Sequence, residues 1–195
     1  MTAKRRHMAE QHDSSKRALV LLSGGIDSST CVAFYREHGF QVDALFVDFG
    51  QPGATLERDA AAAICGHYCV ELHEAEVRGI DVAKKGFVAG RNALLISAAL
   101  SATAPASGLV ALGIHAGVPY PDCTRGFVTA CQALADIYHD GAVQIAAPFV
   151  EWGKDDIATA AKDLQVPLRK TYSCEAGIAN GCGACSSCLD RARIL

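Results

Sequence analysis

Two groups of residues in this chain have the types and spacing to do chemistry. The first is the run Leu22-Ser23-Gly24-Gly25-Ile26-Asp27-Ser28-Ser29-Thr30-Cys31. A strand that breaks into glycine and restarts as a helix makes an anion cradle. Glycine lets backbone N–H groups approach phosphate oxygens, and the helix N-terminus adds partial positive charge. Ser23, Ser28 and Ser29 supply hydroxyl donors. Asp27 would repel phosphate by itself, and it makes sense if a hard cation such as Mg²⁺ sits between the two. No Gly-Lys-Ser/Thr follows, so this is not a Walker loop. The plainer alternative is a Gly-Ser turn between strand and helix. The second group is Cys174, Cys182, Cys185 and Cys188, spaced C-x7-C-x2-C-x2-C. Four thiolates with tight-turn residues between them (Asn180, Gly181, Gly183, Ser186) favour a closed, structural Zn²⁺ site over catalytic zinc. An iron–sulfur cluster is the chemical rival, and two disulfides are the weaker alternative.

The elements that must position these groups alternate. Strand-like runs fall at Ala18–Leu22, Val42–Val47, Cys69–Leu72, Leu109–Ile114 and Val143–Ala146. Helical patterns fall at Ser29–His38, Ala54–Cys65, Asn92–Ala104, Gly126–Tyr138 and Lys154–Leu164. Such alternation predicts an α/β fold, a doubly wound and mainly parallel five-stranded sheet with helices on both faces. Gly39, Gly66 and Gly108 sit near expected helix exits, and Pro105 marks another. In an open α/β sheet, ligands gather at the carboxyl ends of the strands. The loops Ser23–Ser28, Asp48–Gly53, His115–Cys123 and Pro148–Gly153, with Gly90-Arg91-Asn92, should therefore share one mouth.

Composition narrows the rest. Of 195 residues, half are apolar and a fifth charged, which suits a single substantial core over 17–195. A net charge of −3 supplies no strong field for nucleic acid. No apolar run is long enough to span a bilayer. Residues 1–16 are polar and basic, with no apolar centre, and read as a disordered tail. Five of the nine cysteines are scattered through core-like segments and four crowd together, a distribution that points to a reducing cytoplasm.

Ser23-Gly24-Gly25-Ile26-Asp27-Ser28 resembles the S-G-G-x-D-S loop of the N-type ATP pyrophosphatases, which split ATP between its α and β phosphates. With Asp48-Phe49-Gly50-Gln51, Gly90-Arg91-Asn92, Tyr120-Pro121-Asp122-Cys123, the cysteine segment and Arg191, the chain resembles the 7-cyano-7-deazaguanine synthases. That resemblance implies an adenine nucleotide α-hydrolase-like fold and the cofactors ATP, Mg²⁺ and Zn²⁺. It also implies a homodimer. The implied chemistry is adenylation of a deazaguanine carboxylate, attack by ammonia to give an amide, and a second activation to the nitrile. It puts ATP on Leu22 to Cys31, Phe49 and Gln51, with Ser23, Gly24, Gly25, Ser28 and Ser29 on pyrophosphate and Asp27 on Mg²⁺. Asp27, Ser28, Arg91 and Lys154 would be catalytic, and Arg91, Asn92, Tyr120 and Asp122 would meet the substrate.

Each of these residues also has a blander role: a surface ion pair for Arg91, an N-cap near Arg125 for Asp122, a solvated side chain for Lys154, wall packing for Tyr120 and Phe49. The sequence departs from the family in several places. Pro52-Gly53 replace Arg-His after Gln51, Ala89 replaces a proline, Ala116-Gly117-Val118-Pro119 form a short apolar loop, and Glu175 stands where an aromatic is common. Most of these departures fall on the substrate side. They admit a paralogue that stops at the amide or passes the acid to an amine on a protein or RNA. A silent nucleotide-binding scaffold and a tRNA-thiolating enzyme share the loop as further alternatives.

Overall fold

The computed structural model of the protein describes residues 16–80, 82, 88–102 and 107–195. Residues 1–15 of the expected tail 1–16 and the helix exit at Pro105 lie outside the described residues. Five strands form one sheet: β1 (Arg17–Leu21), β2 (Gln41–Asp48), β3 (Glu71–Glu76), β4 (Gly108–Ala111) and β5 (Val143–Ala146). Their order is β3-β2-β1-β4-β5, and every neighbouring pair is parallel. Chain order reverses between β1 and β4, which leaves a crevice at the carboxyl end of β1.

Parallel strands buried on both faces read as continuous apolar runs, and Ala18-Leu19-Val20-Leu21 is one. One face carries Val20, Leu22, Ala44 and Phe46 against Val32, Ile64 and Ile157. These last three belong to α1 (Ile26–Glu37), α2 (Ala54–Tyr68) and α5 (Lys154–Asp163). The opposite face carries Leu19, Leu21, Leu45 and Val110 against Ile96, Ala99, Cys131 and Ala135. Those belong to α3 (Arg91–Ala102) and α4 (Arg125–His139). The doubly wound arrangement is thus present.

Several boundaries differ from expectation, each for a local reason. Helix α1 begins at Ile26, three residues early, because Gly25 takes the extended N-cap conformation (φ −76°, ψ 167°). Cys69 does not open a strand: it ends α2 in the left-handed conformation (φ 53°), and β3 starts two residues later. Gly66 lies inside α2, which runs on to Tyr68. A sixth helix, α6 (Ser186–Ile194), was not anticipated. Its sequence reads as metal-loop punctuation because two of its first turns' neighbours are cysteines. Its free N-terminal groups are met from outside, by Glu175, which accepts from the Ser187 N–H at 3.2 Å and from the Ser186 and Ser187 hydroxyls at 2.9 and 2.7 Å.

Candidate active site

A cavity of about 300 Å³ opens at the β1/β4 crevice, at the lower end of small-molecule sites. Its floor is the segment after β1. The first N–H groups of α1 have no intrahelical acceptor, and Gly25 offers no side-chain cap. An incoming anion is the natural partner for such groups. Gly24 adopts φ +74°, and a Cβ there would stand 2.6 Å from the Glu57 carbonyl oxygen and 2.8 Å from Ala60 Cβ. Only glycine lets the loop lie this close to α2. The Ser23 and Ser28 hydroxyls are 3.1 Å apart, and the Ser28 hydroxyl donates to the Gly25 carbonyl at 3.2 Å. The Ser29 Oγ is buried without a hydrogen-bond partner among the described residues. Thr30 and Cys31 are fully buried. The Thr30 hydroxyl is spent on the Ile26 carbonyl at 2.7 Å, and neither side chain reaches the cavity wall.

Asp27 and Lys154 meet across the mouth. The Lys154 ammonium donates to both Asp27 carboxylate oxygens, at 2.7 and 2.8 Å. Neither a lone lysine in solvent nor an isolated carboxylate describes them. The acid beside the anion loop is held by a cation, which is the requirement its position imposes, and a divalent ion would fit the same demand. His115 stands behind the pair, its Nε2 3.7 Å from Asp27 Oδ2.

On the far side, Gln51 is fixed by three bonds. Its Oε1 accepts from the Phe49 N–H at 2.9 Å, and its Nε2 donates to the Val47 carbonyl at 3.3 Å and to Glu57 Oε2 at 2.9 Å. Phe49 is buried with one side on the cavity. Glu57 lines the cavity too, and burial pushes its carboxyl above the ordinary range, with Gln51 and Arg91 pulling the other way.

Arg91, the first residue of α3, lines the same space and makes no ion pair among the described residues. Asn92 is almost fully buried and acts as a clamp. Its Nδ2 donates to the Asp122 carbonyl at 3.1 Å, while its backbone N–H donates to Asp122 Oδ2 at 3.3 Å. Asp122 therefore caps α3 across the fold. It does not cap α4, whose N-cap is Thr124, with the hydroxyl accepting from the Phe127 N–H at 3.2 Å. Tyr120 and Asp122 are not part of the cavity wall. Of the expected converging loops, His115–Cys123 and Pro148–Gly153 contribute no wall residue; the mouth is built by the other two and by Arg91 and Lys154.

The remaining wall was not anticipated. It comes from Tyr172, Ser173, Cys174, Glu175, Asp190 and Arg191. The Tyr172 N–H donates to the Gly24 carbonyl at 2.9 Å, which stitches this segment to the glycine turn after β1. Arg191 turns inward, donating to the Leu168 carbonyl at 3.0 Å and to the Thr171 hydroxyl. Sequence signals for this wall were indirect: Cys174 stood out as a metal ligand, Arg191 as a family match and Glu175 as a departure from the family pattern, while Glu57, on the Gln51 side of the cavity, did not stand out at all.

The four cysteine sulfurs Cys174, Cys182, Cys185 and Cys188 lie within 4.8 Å of one another, and all nine cysteines are free thiols. A tetrahedral metal with Zn–S about 2.3 Å sets sulfurs roughly 3.8 Å apart, and Cys182 and Cys188 stand at 4.0 Å. The Ala184 and Cys185 N–H groups donate to Cys182 Sγ at 3.4 and 3.2 Å. Burial works against charge at Cys174, but backbone N–H groups of Ile178, Ala176 and Cys182 outweigh it and bring the thiol down to about 6. The donor set fits one ion; a four-iron cubane ties its thiolates to separate irons and needs them farther apart.

A family profile described as "Queuosine biosynthesis protein QueC" matches residues 17–84 and 72–195. A 7-cyano-7-deazaguanine synthase of Synechococcus sp. (strain CC9605) is 35% identical over 91% of this chain and 92% of its own. One from Microcystis aeruginosa (strain NIES-843 / IAM M-2473) is 35% identical over 93% and 91%. Among solved structures, NMN synthetase from Francisella tularensis superposes with a TM-score of 0.54 at 16% identity, over 90% of this chain and 73% of that one. The U34-tRNA thiolase NcsA from Methanococcus maripaludis, with its [4Fe-4S] cluster, gives 0.53 at 15% identity over 92% and 64%. At these identities the superpositions speak for the fold alone.

Proposed function

This chain is an enzyme of the QueC family of queuosine biosynthesis proteins, and we propose that it converts 7-carboxy-7-deazaguanine to 7-cyano-7-deazaguanine with ATP and ammonia. A carboxylate resists attack because oxide is a poor leaving group. Its oxygen attacks the α phosphorus of ATP, pyrophosphate leaves, and an acyl adenylate results. Ammonia adds to the carbonyl carbon and AMP departs with loss of a proton, giving the amide. The amide oxygen attacks a second ATP in the same way, releasing pyrophosphate and one N–H proton, and elimination of AMP with the remaining N–H proton leaves the nitrile. Such a sequence needs positioning and charge neutralisation more than acid–base catalysis.

The observation that carries the reading is the uncapped start of α1 beside the paired Asp27 and Lys154. In the proposed complex, Ser23, Gly24, Gly25 and Ser28 hold the pyrophosphate oxygens, and Ser29 supplies the unpartnered hydroxyl just behind them. Asp27 would hold Mg²⁺, which when bound neutralises the phosphates, and Lys154 then has phosphate oxygens within its reach. Arg91, without an ionic partner among the described residues, faces the substrate carboxylate or phosphate, where its planar fork gives two parallel bonds. Phe49 offers a flat face to a purine-like ring. Cys174, Cys182, Cys185 and Cys188 would hold Zn²⁺ as a closed structural site. The reading places the enzyme in the cytoplasm as a homodimer.

One observation favours a second product. The stretch Ala116–Pro119, short and apolar, forms no part of the cavity wall, and a small apolar loop is compatible with an acceptor amine larger than ammonia, on a protein or RNA. Incubation with ATP, Mg²⁺, ammonia and the acid, read by mass spectrometry, tests both. Nitrile, AMP and pyrophosphate are expected. Accumulation of amide alone, or an adduct on an added partner, would replace the nitrile reading.

A further inference from the structure

Glu57 is a carboxyl in the first turns of α2, turned into the cavity. A carboxylate can accept about four hydrogen bonds. Among the described residues Glu57 accepts one, from Gln51 Nε2 to Oε2; Oε1 takes none. The direction of that single bond is imposed, because the Phe49 N–H already claims Gln51 Oε1 and so turns the amide nitrogen toward Glu57. Oε1 is thus left as an open acceptor beside Gly53, on a side chain that lines the cavity, in an environment dry enough to raise the cost of leaving it unpaired. Arg91 lies close enough to exert its field on the same carboxyl. Acceptor and unpaired guanidinium together match a ligand that carries both N–H donors and an anionic group.

We propose that Glu57 is the residue that selects the substrate's ring, accepting the adjacent ring N–H and exocyclic N–H₂ of a 2-amino-4-oxopyrimidine. This rests on a deazaguanine acid being the substrate. An adenine ring presents a lone-pair nitrogen beside its amino group, so the carboxylate disfavours it, and Glu57 separates the two rings that must enter one cavity. Gln51 acts as a positioning residue for it.

The test compares binding of 7-carboxy-7-deazaguanine with that of its analogue lacking the 2-amino group, by calorimetry on the full chain. In wild type the loss of the amino group weakens binding tenfold or more. In Glu57→Gln, Gln51 remains locked, so the new amide offers its oxygen to Gln51 and its nitrogen to the cavity. The donor edge is then repelled and the preference collapses to about one. Circular dichroism checks the fold, and unchanged ATP affinity shows that the phosphate loop is undisturbed. Equal binding of the two acids by wild type, or a wild-type preference kept by Glu57→Gln, overturns the assignment. So does failure of wild type to bind either acid, which would also remove the substrate reading. The expected preference without nitrile formation would leave the recognition standing and reject only the reaction.

Discussion

The close approach of Gly24 to α2 allows a stability prediction with an internal control. Gly24 and Gly39 share nearly the same backbone, φ +74° and +78°. Alanine at either pays the left-handed penalty, about 1–2 kcal/mol. Gly39 has nothing within 4 Å of the new Cβ, whereas at Gly24 that atom meets the Glu57 carbonyl oxygen at 2.6 Å and the Ala61 nitrogen at 2.8 Å. Both are helix backbone and cannot rotate aside, so α2 must shift, at an overpacking cost of about 1–3 kcal/mol. Gly39→Ala should therefore lose about 1–2 kcal/mol and Gly24→Ala about 2–5. For a chain of this size, with roughly 2–4 °C per kcal/mol, Tm should fall by about 2–8 °C and 4–20 °C respectively. Scanning calorimetry of both variants under one buffer measures the difference. ATP with Mg²⁺ at 100 times Kd should stabilise wild type and Gly39→Ala by about 2.7 kcal/mol, and Gly24→Ala much less, since its loop has been displaced. Superimposable melts for the two variants would refute the claim that the loop is wedged against α2. Full ATP stabilisation of Gly24→Ala would refute its claim to the phosphates.

Four further outcomes follow from the same geometry. Asp27→Ala should abolish release of AMP and pyrophosphate with the fold intact. Lys154→Ala leaves Asp27 uncompensated in a pair whose side chains are 26% and 28% exposed, and urea denaturation should show a loss of about 1–3 kcal/mol, between the exposed and buried extremes. Cys185→Ala should lower bound zinc, by elemental analysis, and lower Tm. Glu57 is raised by burial, so its ionisation destabilises the folded state as pH climbs through the folded value. Glu57→Gln should accordingly raise Tm near neutrality, and the gain should vanish below about pH 4, where the carboxyl is protonated in both states.

The sheet and the glycine turn after β1 were legible because their signals are local. Ala18–Leu22 is a continuous apolar run, and Ser23 to Ser29 compresses a strand end, a glycine turn and a helix start into seven residues. Boundaries slipped where backbone geometry overrode composition: Cys69 looks strand-like yet closes α2, and Gly66 looks like a stop yet sits mid-helix. Asp122 shows a different limit. A carboxylate three residues before a helix reads as its cap, whereas this one serves α3, thirty residues upstream, through a contact that only folding creates. Helix α6 and the wall it brings escaped for the same reason, since nothing in a cysteine spacing says which side of the molecule the metal loop will face.

The stitch between Tyr172 and Gly24 also orders events in the life of the chain. All five strands have been synthesised by Ala146, and the first of them already leads into the glycine turn. Yet the cleft gains its last side only when residues 172–191 arrive. Synthesis at about 5–20 residues per second puts a few seconds between the last strand and the last residue of the wall. That side of the cleft is thus the last to be made, and a chain cut short before Tyr172 would carry the glycine turn without the wall stitched to it.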